Sequence, residues 1–415
     1  PMPKRGQARA WWRAPASPTA LAWSIASAAR AHEGPLLVVA RDNHEAHQLE
    51  ADLHTLLGTA SDLPVVAFPD WETLPYDQFS PHPDIVSQRL SALHRLPTLE
   101  KGIVVVPVPT LMQRLSPLKH IAGGSFDYRM GQRLDFDAEK RRLEAASYRH
   151  VPQVLDPGDF AVRGGLLDVY PMGADAPLRI ELLDDTIDSL RHFDPESQRS
   201  LDRVESVQLL PGREVPLDER SVERAMTLLR DRFDVDTRRS ALYQDLKSGL
   251  APAGVEYYLP LFFDATSTLF DYLHADALPV LTDGFGEAAE AFWAQTRNRY
   301  DQRRHDIERP LLPPDELYLS PDSLRERLNQ RLRVEVCGPQ HSRHGDALPL
   351  GDQPLPPLPV AAKDAPAGEA LKSFLGHYPG RVLIASDSPG RREALLEVLQ
   401  AAALVPEVLA DFTAF

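Results

Sequence analysis

The sequence predicts an α/β fold: a parallel sheet under helices, formed by two chain segments, with an α+β domain inserted between them and a small α/β unit at the end. Three observations carry this. Short apolar runs alternate with amphipathic helical spacing through the first 116 residues, period-2 alternation and paired glycines take over from 117 to 210, and an apolar run returns at 278–282. Continuous apolar runs mark strands buried on both faces, whereas alternation marks strands with one wet face.

Residues from Pro18 to about Ala31 favour helix, and the run PLLVVA (35–40) follows as a strand. Leu49, Leu53, Leu56 and Leu57 recur at helical spacing and are closed by Gly58. The runs VVAF (65–68) and GIVVVPV (102–108) supply two more strands, and the second leads into a helical stretch. Beyond residue 117, Gly131, Gly158–Asp159 and Gly164–Gly165 punctuate hairpins, and residues 177–191 alternate with period two. A helix near 137–148 starts at a cap supplied by Asp135 or Asp137. Val222, Met226, Leu229 and Phe233 then mark a helix, and LPVLT (278–282) returns to the sheet. Six prolines between Pro349 and Pro366 read as a linker, followed by a strand RVLIAS (381–386) and a helix over 390–402. The expected domains are therefore 1–116, 117–210, 211–340 and 341–415, with no internal repeat.

At 415 residues the chain exceeds one hydrophobic core, so two to four domains are expected. A formal charge of −15 argues against non-specific duplex binding by the whole chain, because phosphate affinity comes mostly from Lys and Arg. The lone Cys337 excludes an internal disulfide framework and a cysteine-based zinc site, which fits a cytoplasmic protein. No apolar run approaches the length of a membrane span, and the N-terminus lacks the apolar core of a signal peptide. Pro1 before Met2 reads as a non-native remnant, and the chain reads as a piece of a longer protein.

A sheet of this kind often carries a phosphate-binding loop, in which glycine amides cradle phosphates and a lysine reaches them. The expected position is the first strand-to-helix turn, where the residues are WRAPASPTA (12–20). That stretch has no glycine, and no lysine occurs between Lys4 and Lys101. Other catalytic patterns are missing too: there is no His-Glu-x-x-His and no Gly-x-Ser-x-Gly elbow. His82, His341 and His344 read as solvated surface histidines, Asp184–Asp185 as a hairpin turn, and Asp135 and Asp137 as helix-cap residues. Trp71, Tyr76 and Phe79 have the type of residue that stacks on bases, but their acidic, proline-rich surroundings favour packing. Arg391 and Arg392 after DSPG (387–390) read as a solvated first helical turn. No cofactor or metal is expected, and nothing positive points to an enzyme.

Three stretches together resemble one family: FPDWETLPYDQFSPHPDIVSQRL (68–90); GDFAVRGGLLDVYP (158–171) with PLRIELLDDTIDSLRHFD (177–194); and GVEYYLPLFF (254–263). They resemble the N-terminal region of the bacterial transcription-repair coupling factors, which is similar to the first domains of the excision-repair protein UvrB. The resemblance covers about 10–335, and the last unit resembles the small domain that follows in that family. It implies a RecA/helicase-like sheet that has lost its nucleotide site. Where UvrB has an intact loop this chain has WRAPASPTA, and at TDGFG (282–286) Gly284 replaces the glutamate of the Asp-Glu-x-His box beside Asp283. The long DNA-clamping hairpin of UvrB also has no room before SQRLSALHRL.

The resemblance implies a partner as well. The insert corresponds to the domain through which the family binds UvrA, and the family's two arginines and aromatic fall on Arg163, Arg179 and Leu183. RNA polymerase and duplex DNA are implied as partners of the full-length protein, which in the family is an ATP-dependent translocase. The residues themselves are compatible with this surface. Leu178, Ile180 and Leu182 alternate with Arg179, Glu181 and Leu183, so a strand turns the second set outward. Arg179 and Leu183 then lie about 13 Å apart at ~3.3 Å per residue, and Phe160 with Val162 pointing in turns Arg163 out. The alternatives are an NTPase or helicase module with an unrecognised site and a UvrB-like damaged-DNA clamp.

Overall fold

A computed structural model describes residues 8–58, 61–233, 235–338, 347–358 and 368–415. Strand β1 (Arg9–Arg13) leads into the helix Pro18–Ala31, where Ser17 caps by accepting the amide of Ala20 and proline occupies the first turn. Strand β2 (Leu36–Ala40) is buried at every position. The helix Asn43–Leu57 follows, capped by Asp42 and ended by Gly58 at φ 70°, a left-handed backbone that glycine adopts without strain. Then come β3 (Val65–Ala67), the helix Pro83–Arg95 capped by His82, and β4 (Ile103–Pro107), again buried throughout.

The second region is built of β5 (Phe126–Arg129), the helix Phe136–Ala145, β6 (Arg149–His150), β7 (Asp159–Arg163), β8 (Leu166–Val169), β9 (Leu178–Leu183), β10 (Thr186–Phe193), β11 (Ser200–Arg203) and β12 (Ser206–Leu209). Asp135 caps the helix by accepting the amides of Asp137 and Ala138. Six strands form one sheet in the order β11-β10-β9-β8-β7-β6, and β12 pairs with β5. Its inner face carries the cross-strand row Val162–Leu167–Ile180–Leu190. The β9–β10 hairpin turns on Asp184 and Asp185, with Asp184 at φ 56°, a conformation that aspartate tolerates better than most residues. A register shift between Ile187 and Ser189 bends β10.

The chain returns through the helix Glu219–Arg232 to β13 (Leu278–Leu281), the helix Phe285–Arg303 and β14 (Arg333–Cys337). These strands complete an all-parallel sheet in the order β1-β14-β13-β2-β4-β3, so two chain segments share one sheet. Pro279 sits in an interior strand without breaking a ladder. The amides of Leu278 and Thr282 bond toward β2, which puts the Pro279 nitrogen on the β14 side, and pairing there begins only at Val280. On the outer side of β1, Leu348 forms a parallel bridge with Trp12.

A buried ion pair joins the helix Pro83–Arg95 to the segment leaving the insert. Arg89 reaches Glu214 through Nε at 2.6 Å and Nη2 at 3.2 Å, and donates from Nη1 to the Pro69 carbonyl at 2.8 Å. Its guanidinium packs against the rings of Phe68 and Trp71, and both charged side chains are enclosed.

The end of the chain departs from expectation. The helix Pro389–Ala401 forms, but residues 381–386 run without a ladder partner among the described residues, with Leu383 and Ile384 exposed. Apolar residues with β propensity become a strand only beside a neighbour that satisfies their backbone.

Candidate functional site

The first strand-to-helix turn, at residues 12–20, is held by contacts within the chain. After β1 the chain passes through Ala14–Ala16, and the Ala16 amide donates to the Asp352 carboxylate at 2.5 Å. Leu348 holds this segment in place through two backbone bonds, from Arg13 and to Trp11, each 2.9 Å. A carboxylate therefore accepts a backbone amide just before the cap of the first helix. Asp283 packs against Gly338 so closely that a Cβ there would come within 2.1 Å of Oδ2, and Gly284 at φ 82° begins the helix Phe285–Arg303. Lys101 donates instead to the Arg30 carbonyl.

The other residues singled out in the sequence take structural positions. His82 caps a helix and contacts Asp84 at 3.3 Å, and Asp185 faces Arg133 across the hairpin end. Trp71 and Tyr76 are buried in a cluster with Tyr257 and Leu312, whereas Phe79 stands 71% exposed. Arg391 and Arg392 are exposed and pair locally with Asp387 and Glu393. His341 and His344 lie outside the described residues. No group of three metal-ligating side chains occurs among the described residues.

The outer face of the six-stranded sheet holds Arg163, Arg179 and Leu183, but not equally. Leu183 at the end of β9 is 67% exposed, and the Arg163 side chain at the end of β7 is 53% exposed. Arg163, Leu166 and Glu181 are in register across β7, β8 and β9, which places Arg163 two strands from the position just before Leu183 on that face. Arg179 corrects the expectation of an open arginine: its side chain is only 16% exposed. Nε and Nη2 donate to the two oxygens of Asp168 at 2.7 and 2.9 Å, Nη1 donates to the Gln198 carbonyl at 3.2 Å, and the group lies over the Phe193 ring. The hydrogen bonds from Arg179 to Asp168 push the Arg179 pKa up.

The enclosure has a visible cause. The turn after β10 folds back over the outer face, held by Asp194, which accepts the Ser197 amide at 2.6 Å, and by the Gln198 amide donating to Asp194. Phe193, Ala161 and Val154 form a small apolar cluster beneath it. Asp168, buried on β8, is the residue that alternation alone does not single out as functional. Its signal was present: an acid lying between Leu167 and Val169 must face the same side as the outward arginines.

An all-parallel sheet interrupted by a second, largely antiparallel sheet describes an α/β scaffold carrying an inserted interaction domain. Residues 126–214 match the family described as UvrB interaction domain, and residues 374–415 match MFD, D3 domain. The transcription-repair-coupling factor of Escherichia coli is 42% identical over 389 residues, which is 94% of this chain and 34% of that protein. That of Haemophilus influenzae is 39% identical, over 94% of this chain and 34% of its own, and that of Myxococcus xanthus is 37% identical over 72% and 26%. The chain belongs to the transcription-repair-coupling factor family, and it spans about a third of the length of the first two of these relatives.

Proposed function

We propose that this chain is the UvrA-recruiting, non-catalytic portion of a transcription-repair-coupling factor. The observation that carries the reading is the exposed arginine and leucine, Arg163 and Leu183, on one face of the sheet within the UvrB-interaction match. An exposed cation and an exposed apolar side chain on one face suit a protein partner: the charge steers the encounter and the leucine anchors it. In the whole protein, the same reading links RNA polymerase stalled on duplex DNA to excision repair. It also makes the protein cytoplasmic, consistent with the lack of a membrane-length apolar helix among the described residues.

Titration of the intact chain into UvrA tests this directly, with saturable association as the expected result and none as the result that sinks it. The lack of glycine and lysine at 12–20 predicts a second outcome. Calorimetric titration with ATP and magnesium should give no binding heat, and micromolar affinity would favour the NTPase reading instead. Cofactors have no part in the proposal.

A further inference from the structure

The outer face carries an uneven charge row. Ala161, Asp168, Arg179, Arg191 and Arg203 stand in register across β7, β8, β9, β10 and β11, so one buried acid faces three arginines on successive strands. Arg163 approaches the same acid, with Nη2 3.9 Å from Asp168 Oδ2. Like charges opposite one another on adjacent strands repel, and a buried carboxylate is tolerated only when paired. Within the row Asp168 pairs with Arg179, its register neighbour. With Nε and Nη2 on Asp168 and Nη1 on the Gln198 carbonyl, each guanidinium nitrogen of Arg179 is already engaged. Arg163 keeps only a distant contact with the acid and is half exposed.

We propose a division of labour between the two arginines: Arg163 contacts the partner, while Arg179 and Asp168 are positioning residues that act through the turn at 194–199. Asp168 pins the Arg179 guanidinium over the Phe193 ring, and Arg179 in turn pins the turn through the Gln198 carbonyl. The result is a flat, pre-ordered surface beside Arg163 and Leu183. This rests on the UvrA reading of the face, although its structural half does not need the partner.

Asp168→Asn and Arg179→Lys test it together. Lysine keeps the charge of Arg179 but loses the planar fork that grips a carboxylate on two sides. If Arg179 acted by its charge at the partner, Arg179→Lys would keep most of the UvrA affinity. The inference expects about a tenfold loss for either variant, with the double variant no worse than either alone, because both break one clasp. Arg163→Ala should add its full loss in the Asp168→Asn background. Hydrogen exchange supplies a readout that needs no partner. The Gln198 amide, bonded to the Asp194 carbonyl at 2.8 Å, should exchange at least about tenfold faster in both variants, while amides of β7 keep their protection. Unchanged exchange at Gln198, unchanged affinity in Arg179→Lys, or losses that multiply in the double variant would each overturn the proposal. A chain that does not bind UvrA, yet exchanges as expected, would fault the partner and leave the clasp standing. Should Asp168→Asn fail to fold, Arg179→Lys alone decides the matter.

Discussion

Replacing Arg89 with methionine should destabilise the protein by about 3–5 kcal/mol, the usual cost of stranding one partner of a buried ion pair. Arg89 and Glu214 are 0% and 3% exposed, so neither can turn to water when the other is lost. The substitution also removes a cation held between Phe68 and Trp71, and a donor to the Pro69 carbonyl. Among the described residues, Glu214 would keep only the Trp71 indole as a hydrogen-bond donor, at 3.4 Å. The double variant Arg89→Met with Glu214→Leu should recover most of the loss, because a buried pair replaced by apolar groups of similar volume is often neutral. Chemical denaturation of the three proteins checks this. A single variant within about 1 kcal/mol of the parent would mean that the pair contributes no more than a surface bridge.

The parts of the fold that the sequence reveals are those in which burial alone dictates the residue. Strands β2 and β4 lie inside a parallel sheet, covered on both sides, and their residues are apolar without interruption. Strand β14 is less legible: Arg333, Glu335 and Cys337 alternate with two valines over five residues, too short a run to stand out. Arg333 is tolerated in the sheet because it bonds Glu335 at 2.6 Å and the Leu328 carbonyl. At 381–386 the failure runs the other way. The residues have strand propensity, but a strand is a property of a pair, and the described residues provide no partner.

The candidate site divides along similar lines. Period-2 alternation assigns Arg163, Arg179 and Leu183 to one face, because side-chain direction is a local property of the strand. Exposure is not local. Whether Arg179 meets solvent depends on a turn whose Gln198 lies 19 residues further on, and on an acid one strand away. Nothing in the pattern of 177–183 registers either. The lack of glycine and lysine at 12–20 is plain in the sequence, but the group that holds this turn comes from far along the chain, with Asp352 reaching Ala16 across 336 residues.

This uneven exposure decides which substitutions probe binding cleanly. Arg179→Glu would set a new carboxylate against buried Asp168, so its effect on UvrA would be confounded with damage to the sheet. Arg163→Ala combined with Leu183→Asp avoids that, because alanine brings no carboxylate near Asp168 and leaves its two bonds from Arg179 in place. Both side chains are more than half exposed, and surface changes away from special features usually shift stability by no more than about 0.5 kcal/mol. At the proposed interface the same pair removes one charge and replaces the apolar anchor with an acid that must be desolvated. The expected result is at least a hundredfold weaker association with UvrA, about 2.7 kcal/mol, with an unchanged melting temperature. Leu183→Phe should move affinity the other way, since a larger apolar side chain at an exposed strand end adds contact area without entering the core. If the double variant binds UvrA as the parent does, the recruiting surface lies elsewhere on the molecule. If it melts early, the outer face carries more of the fold than its exposure indicates.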